Sequence, residues 1–175
     1  MNSFFHIDWS LCLQEGQIIN LNKFSDNIPE KIQSHVNLLF PKGISSHGRT
    51  YIVSEIFNCD HCTVTRSVNI IEYLFEYVRK SYYSQRPSRF QSVFAFDNIE
   101  KAKFFQDKYC NSQGNIWEIE SEESFKVDMN LLTLGNSLLE ADYYAHLYWK
   151  GETTGNPFWE YLLVPPVKVI RKVDG

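Results

Sequence analysis

Apolar and polar positions alternate, or repeat at helical spacing, in only a few stretches, and these predict most of the regular structure. Residues 3–9 (SFFHIDW) read as a short buried strand opening the chain, and 17–21 as a second short strand. Residues 22–48 are rich in Asn, Ser, Pro and Gly with an apolar patch at 36–40, which predicts a long loop carrying a short helix. Residues 51–57 suit either a strand or the first turns of a helix, because a short apolar run has no decisive period. The clearest helix spans 68–83. It sets Ile70, Ile71, Leu74, Phe75 and Val78 on one face and Glu72, Glu76, Arg79 and Lys80 on the other.

Pro87 breaks that helix, and residues 90–96 then alternate as a strand, with Phe90, Ser92, Phe94 and Phe96 on one face. Asp97 reads as the N-cap of a helix ending near 109, with Glu100 as its capping-box partner. Further along come a strand at 115–119, an acidic turn, a helix at 129–140 and an ambiguous aromatic stretch at 142–149. A Gly-, Thr- and Asn-rich loop at 151–157 leads into a strong strand at 158–164; Pro165-Pro166 breaks it before a last strand at 167–170. No repeat, low-complexity tract or linker interrupts the pattern. The sum is a mixed α+β fold of one domain, residues 1–175, with several short strands.

Composition narrows this picture. A chain of 175 residues and 20.6 kDa buries about 70% of its unfolded surface, enough for a core without disulfides. Hydrophobic residues at 43% and charged residues at 22% exclude disorder and collagen-like architecture. Aromatic content is high at 15%, and rings that fill a core can also line a site for flat ligands. The net charge of -4 argues against a broad phosphate-tracking surface. A local cluster, Arg79, Lys80, Arg86 and Arg89 around Tyr82 and Tyr83, fits either a solvated helix end or a site for an anion or a nucleic-acid end.

Cys59-Asp60-His61-Cys62 has zinc-knuckle spacing, but no second Cys pair completes a tetrahedral site. No thioredoxin-like pattern surrounds it either, so no metal is assigned and the thiols are read as reduced. The N-terminus has neither a basic segment nor a small-residue cleavage site, and no apolar run nears the roughly 18 residues of a membrane span. The expectation is a cytoplasmic protein, in its own cell or in a host cell, without a membrane partner.

Glycine-rich phosphate loops, H-E-x-x-H and G-x-S-x-G are all missing. Three separated segments remain, each placing a polar residue among apolar ones. His6 stands between Phe4, Phe5, Ile7 and Trp9, and a satisfied core histidine explains it as well as a ligand does. Ser88, Arg89 and Ser92 sit in a polar loop feeding a strand, where turn chemistry is an equal explanation. Glu160, between Trp159 and Tyr161, opens an apolar strand and must be solvated or hydrogen-bonded to stay charged.

Taken together, FFHIDW, PSRFQSVFAFDNIEKAKFF and FWEYLLVPPVKVI resemble the three motifs of the ADP-ribosyltransferase superfamily, in the right order and across residues 4–170. Those motifs are a first-strand His or Arg, a middle strand with a hydroxyl residue, and a late strand with a catalytic Glu. The resemblance is to small bacterial or phage members, and the His is similar to the branch of diphtheria-type toxins, poly-ADP-ribose polymerases and DNA-modifying toxins. It implies an α+β domain with short strands in two small sheets and flanking helices. It also implies NAD as substrate and transfer of ADP-ribose to a macromolecular acceptor, protein or nucleic acid, and the negative net charge favours protein.

By the same resemblance, Glu160 is the catalytic residue and His6 holds a ribose. Ser88 or Ser92 orients Glu160, Arg89 offsets pyrophosphate charge, and Trp9, Phe94 or Tyr148 flanks the nicotinamide. Two departures stand out. Arginine-modifying members carry Gln or Glu two residues before the catalytic Glu, where this chain has Phe158, and the hydroxyl motif is not a clean Ser-Thr-Ser. One alternative is a binding or inhibitor protein on the same scaffold that blocks a host protein. Another is a nuclease built on His6, His146, Asp142 and Glu152, although no D-x-D or E-x-K constellation supports it.

Overall fold

The computed structural model describes residues 2–23, 28–53 and 63–173. Its strands form two sheets. The four-stranded sheet runs in the order β1 (Asn2–Asp8), β4 (Asn115–Ser121), β7 (Val167–Val173), β2 (Ile18–Ile19). The three-stranded sheet runs β3 (Val93–Ala95), β6 (Trp159–Leu163), β5 (Ser124–Asp128). Pairings β1–β4, β4–β7, β2–β7 and β3–β6 are antiparallel. The helices are α1 (Glu30–Leu39), α2 (Ser46–Val53), α3 (Thr63–Tyr82), α4 (Ile99–Cys110) and α5 (Leu138–Lys150). The α+β class and the two small sheets read from the sequence are therefore present.

The chain divides into two compact units, each assembled from separated segments. The first comprises Met1–Asn20, Val93–Lys126 and Trp159–Gly175. Its core holds Phe4, Trp117, Ile119, Val167 and Val169 from one sheet, with Val93, Ala95 and Leu163 from the other. Every one of these belongs to a strand, and on each strand they fall on alternate residues or beside a bulge. Helix α4 adds Phe105, whose ring lies 5.2 Å from that of Phe96.

The second unit comprises Leu21–Ser92 and Val127–Phe158. Helices α3 and α5 form one contact of its core, where Phe75, Tyr148 and Trp149 are buried and the Trp149 indole N–H donates to the Phe75 carbonyl at 2.7 Å. Val36, Phe40, Ile44 and Phe90 form a smaller cluster. Gly48 in α2 lets the helix backbone touch the Phe90 carbonyl; a Cβ there would run into that oxygen. Gly48→Ala must therefore push the two segments apart, and the expected loss is about 1–3 kcal/mol, read from the denaturation midpoint.

Several expectations need correction. The predicted 90–96 strand begins only after Gln91: a 3-10 turn covers Arg89–Gln91, Ser92 is extended, β3 spans Val93–Ala95 and Phe96 bridges to Phe5. The Ser88 hydroxyl accepts from Phe90 N–H and draws the backbone into that turn. Helix α4 is capped by Asn98, whose Oδ1 accepts from Glu100 and Lys101, not by Asp97. Asp97 instead takes the Lys101 ammonium at 2.7 Å and the Tyr161 hydroxyl at 3.1 Å. The helix expected at 129–140 is a short 3-10 turn, Met129–Leu131, and the real helix is α5, started by the Ser137 cap and closed by Gly151 in the left-handed region. Strand β5 was hidden in what read as an acidic turn.

Candidate functional site

Strands β1 and β3 meet at one antiparallel bridge, Phe5 with Phe96, closed by hydrogen bonds of 2.8 and 2.9 Å. Continued by one rung, the register would set Ile7 opposite Phe94. At that rung the Phe94 carbonyl is bound by the His6 ring, with Nδ1 2.7 Å away. A carbonyl only accepts, so Nδ1 carries the proton and Nε2 is left as an acceptor. Burial pushes the His6 pKa below its ordinary value, against the opposing pull of the Phe94 carbonyl and the Asp8 charge. The ring is thus a neutral imidazole of fixed tautomer, set where the two sheets separate.

Asp8, two residues on, is buried and accepts from Ser10 N–H, Ser10 hydroxyl and Leu13 N–H at 3.0, 2.7 and 2.8 Å. These bonds hold its pKa below the ordinary value although burial pushes the other way. They shape the loop that leaves β1 and leave Trp9 half exposed. Trp117 stands directly across from His6 on β4. It is buried, and its indole N–H has no hydrogen-bond partner. That donor was not singled out from the sequence: alternation put Trp117 in a strand, but the register that pairs it with His6 is a tertiary fact.

On the far side of β3, Phe94 pairs with Leu162 of β6. Glu160 lies two residues from Leu162 and so shares its face of the sheet with Leu162 and Phe94. Glu160 is buried, only 4% exposed. Phe94 is half-buried. The other face of β6 carries Trp159 and Tyr161, over which the Lys126 ammonium lies 4.1 and 5.8 Å from the ring centroids. His6, Phe94 and Glu160 therefore fall in the first unit, on three strands joined β1 to β3 by the bridge and β3 to β6 by pairing.

Ser88, Arg89 and Ser92 belong to the second unit, where each has a partner. Arg89 is 3% exposed and grips Glu72 in a fork, Nε to Oε2 at 2.8 Å and Nη2 to Oε1 at 2.7 Å, while Nη1 donates to the Tyr148 hydroxyl at 2.6 Å. Ser88 donates to Glu76 at 2.9 Å, and Ser92 donates to the Ser88 carbonyl at 2.8 Å. Glu76 is gripped in turn by Arg79, through Nε at 3.0 Å and Nη2 at 2.9 Å. Arg79 also donates to the Ser84 and Arg86 carbonyls, which fixes the loop beyond α3.

Arg79 and Arg89 of the basic cluster are thus neither solvated nor an open anion site, whereas Lys80, Tyr82 and Arg86 are exposed. Both guanidinia are buried against glutamates of α3. The amphipathic reading of that helix holds for Phe75 and Val78, which are buried, and for exposed Lys80, but fails for Glu72, Glu76 and Arg79, which are buried, and for Ile70, which is exposed along with Tyr73 and Tyr77. The Arg89 and His47 charges and bonds hold the Glu72 pKa down at about 2 although burial alone would raise it. Tyr148, considered for the nicotinamide, is buried between Phe75, Trp149 and the Arg89 guanidinium.

Asp128, at the end of β5, is fully buried. Its Oδ1 accepts from Asn130 N–H at 3.0 Å and Phe158 N–H at 2.9 Å. Its Oδ2 accepts from Thr154 N–H at 2.8 Å and the Thr154 hydroxyl at 2.7 Å. These bonds keep its pKa below the ordinary value against the opposing effect of burial. No sequence signal marked it as buried: its one nearby donor is Asn130 N–H, and the others come from Thr154 and Phe158, far along the chain. Cys59, His61 and Cys62 lie outside the described residues. Among the described residues no cluster of three or more His, Cys, Asp or Glu side chains could hold a metal ion, and no helix is long and apolar enough to cross a membrane.

Residues 4–175 match the model of a family described as "Protein of unknown function (DUF2441)", and the chain belongs to that family. No curated protein matches the chain.

Proposed function

We propose that this DUF2441 chain is an NAD-dependent ADP-ribosyltransferase that transfers ADP-ribose to a macromolecular acceptor, with His6, Phe94 and Glu160 as the residues that meet NAD. The observation that carries the reading is the arrangement of the motif strands. A histidine of fixed tautomer sits where β1 parts from β3, and β3 pairs on its other edge with the strand bearing a buried glutamate. The strands of the first-motif His, the middle motif and the late-motif Glu thus belong to one unit and are joined in series. The two small sheets suit the fold that the resemblance implies.

The chemistry follows from charge. When the bond between nicotinamide and ribose C1′ breaks, its electron pair leaves with nicotinamide and positive charge develops on the ribose, as in glycoside cleavage. Glu160 accepts a hydrogen bond from the ribose 2′-hydroxyl and offsets that charge, an interaction that grows toward the transition state. The acceptor's nucleophilic atom then bonds to C1′ and loses its proton. His6 Nε2 accepts from a hydroxyl of the adenosine ribose. The Phe94 ring, on the face of Glu160, offers the nicotinamide an apolar wall. Arg89, Ser88 and Ser92 belong to the second unit, where Arg89 binds Glu72, Ser88 binds Glu76 and Ser92 binds the Ser88 carbonyl, and this reading gives them no role toward NAD.

A second reading is a non-catalytic binding protein on the same scaffold, favoured by the middle-segment hydroxyls of Ser88 and Ser92 being donated to Glu76 and to the Ser88 carbonyl. Purified protein incubated with etheno-NAD and a cell lysate separates the two. The enzyme reading expects release of nicotinamide and label on a macromolecule; binding of NAD without either outcome leaves the binding protein. His6→Ala is expected to raise the KM for NAD by about 3- to 10-fold, the worth of one hydrogen bond, with a smaller change in kcat. An unchanged KM removes His6 from the ribose site.

A further inference from the structure

Asp142 and His146 stand one turn apart on α5 and meet Tyr83, the first residue beyond α3, all three within the second unit. The Tyr83 hydroxyl and His146 Nδ1 are 2.9 Å apart, and His146 Nε2 faces Asp142 Oδ2 at 3.8 Å. A carboxylate favours the proton on the ring nitrogen that faces it, so Nδ1 is the acceptor and the Tyr83 hydroxyl the donor. The order is that of a hydroxyl nucleophile, a histidine base and a carboxylate that steadies the charged ring. A phenol left to itself keeps its proton at neutral pH, and a base at hydrogen-bond distance is what lets it attack.

This arrangement is held from two sides. Arg79 Nη1 donates to the Ser84 and Arg86 carbonyls at 3.3 and 2.9 Å, and Arg86 N–H donates to the Tyr83 carbonyl at 2.8 Å. The turn that starts at Tyr83 is thereby tied to a buried guanidinium. The His146 ring packs against both tyrosines, its centroid 4.9 Å from that of Tyr82 and 5.6 Å from that of Tyr83. The group is nevertheless open to a macromolecule: the His146 side chain is 27% exposed and that of Asp142 51%, Tyr82 is exposed and Tyr83 half-buried.

We propose that Tyr83 is an acceptor of ADP-ribose on this chain, modified by a second copy that holds NAD. This rests on the NAD-cleaving reading given above and gives the acceptor a chemical class, a tyrosine hydroxyl beside a base. In the step, Tyr83 Oη bonds to ribose C1′ while the bond from C1′ to nicotinamide breaks and its electron pair leaves with nicotinamide. The hydroxyl proton passes to His146 Nδ1, and the imidazolium so formed faces the Asp142 carboxylate, which offsets its charge. The product is an O-glycosidic link at Tyr83.

The test mixes two copies with biotin-labelled NAD. One carries Glu160→Gln with Tyr83 intact and serves as acceptor; the other carries Tyr83→Phe with Glu160 intact and serves as enzyme. Label is expected on the Glu160→Gln copy, at Tyr83 by peptide mass spectrometry, and to fall at least about 10-fold when that copy also carries Tyr83→Phe, which keeps the ring and removes only the nucleophilic oxygen. His146→Gln in the acceptor copy keeps a hydrogen-bond acceptor but no base, and is expected to slow labelling about 100-fold, the low end for a lost general base.

Equal label on the acceptor copy with Tyr83→Phe, or a rate unmoved by His146→Gln, overturns the proposal. If the unsubstituted protein labels lysate proteins while the Glu160→Gln copy stays clean, the reading of the NAD site stands and only Tyr83 loses its role. If the unsubstituted protein does not cleave etheno-NAD, the enzyme reading fails and takes this inference with it.

Discussion

Glu160→Gln is expected to lower the rate of NAD cleavage by about 100- to 1,000-fold while the protein still folds and still binds NAD. The substitution keeps the size of the side chain and an oxygen able to accept from the ribose 2′-hydroxyl. It removes only the negative charge, which matters most when the ribose becomes positive. The loss therefore belongs in kcat, and the KM is expected to move little. Burial sharpens the effect, because a carboxylate that is 4% exposed acts through protein rather than through water. Single-turnover release of etheno-nicotinamide adenine dinucleotide fluorescence, beside a direct binding titration, makes the comparison. Turnover equal to that of the unsubstituted protein ends the catalytic assignment.

The second large effect concerns stability. Arg89→Met leaves the Glu72 carboxylate buried with its forked partner gone, and the Tyr148 hydroxyl loses a donor. The expected loss is about 3–5 kcal/mol, a large share of what holds any domain together. Glu72→Met combined with Arg89→Met removes both charges and is expected to recover most of that loss, because desolvating the pair offsets much of its attraction. Equilibrium denaturation of the single and double variants decides the matter. Equal midpoints in Arg89→Met and the unsubstituted protein would mean the pair contributes nothing.

The pair also fixes a pH dependence. The folded-state pKa of Glu72 is held at about 2 against an ordinary 4.5, a depression caused by Arg89 and His47. The unfolded chain takes up the proton first as pH falls. The stability from Glu72 is therefore fully present above about pH 4.5 and is lost as pH falls toward 2. Asp8, Asp97, Glu118 and Asp128 share the sign. The part owed to Glu72 is thus the difference in acid sensitivity between the unsubstituted protein and the double variant.

What was legible in the sequence was local. Alternation in FFHIDW and in FWEYLLV found β1 and β6 to within a residue or two, and helical spacing found the body of α3. Those signals need only neighbours along the chain. The rest depended on partners far away. Glu72 and Glu76 looked like the wet face of a helix because solvated and buried glutamates have the same spelling; their counter-ions, Arg89 and the locally placed Arg79, decide the matter. The 90–96 strand lost Phe90 and Gln91 to a 3-10 turn, whose start the Ser88 hydroxyl caps by accepting from Phe90 N–H. His6 and Glu160 stood out as polar residues in apolar strands, but the bridge at Phe5 and Phe96 that brings their strands to either side of β3 is a matter of pairing alone.

The aspartates at the ends of β1 and β5 bear on how any assay is run. Asp8 and Asp128 are compensated mainly by backbone N–H groups in the protein interior, where dissolved ions do not reach. Added salt screens exposed pairs such as Arg171 with Glu118, whose arginine is 62% exposed, but leaves those two turns as they are. Ionic strength is therefore a free variable for this protein. It can be raised to loosen a charged acceptor from the surface while the turns at Asp8 and Asp128 keep their form.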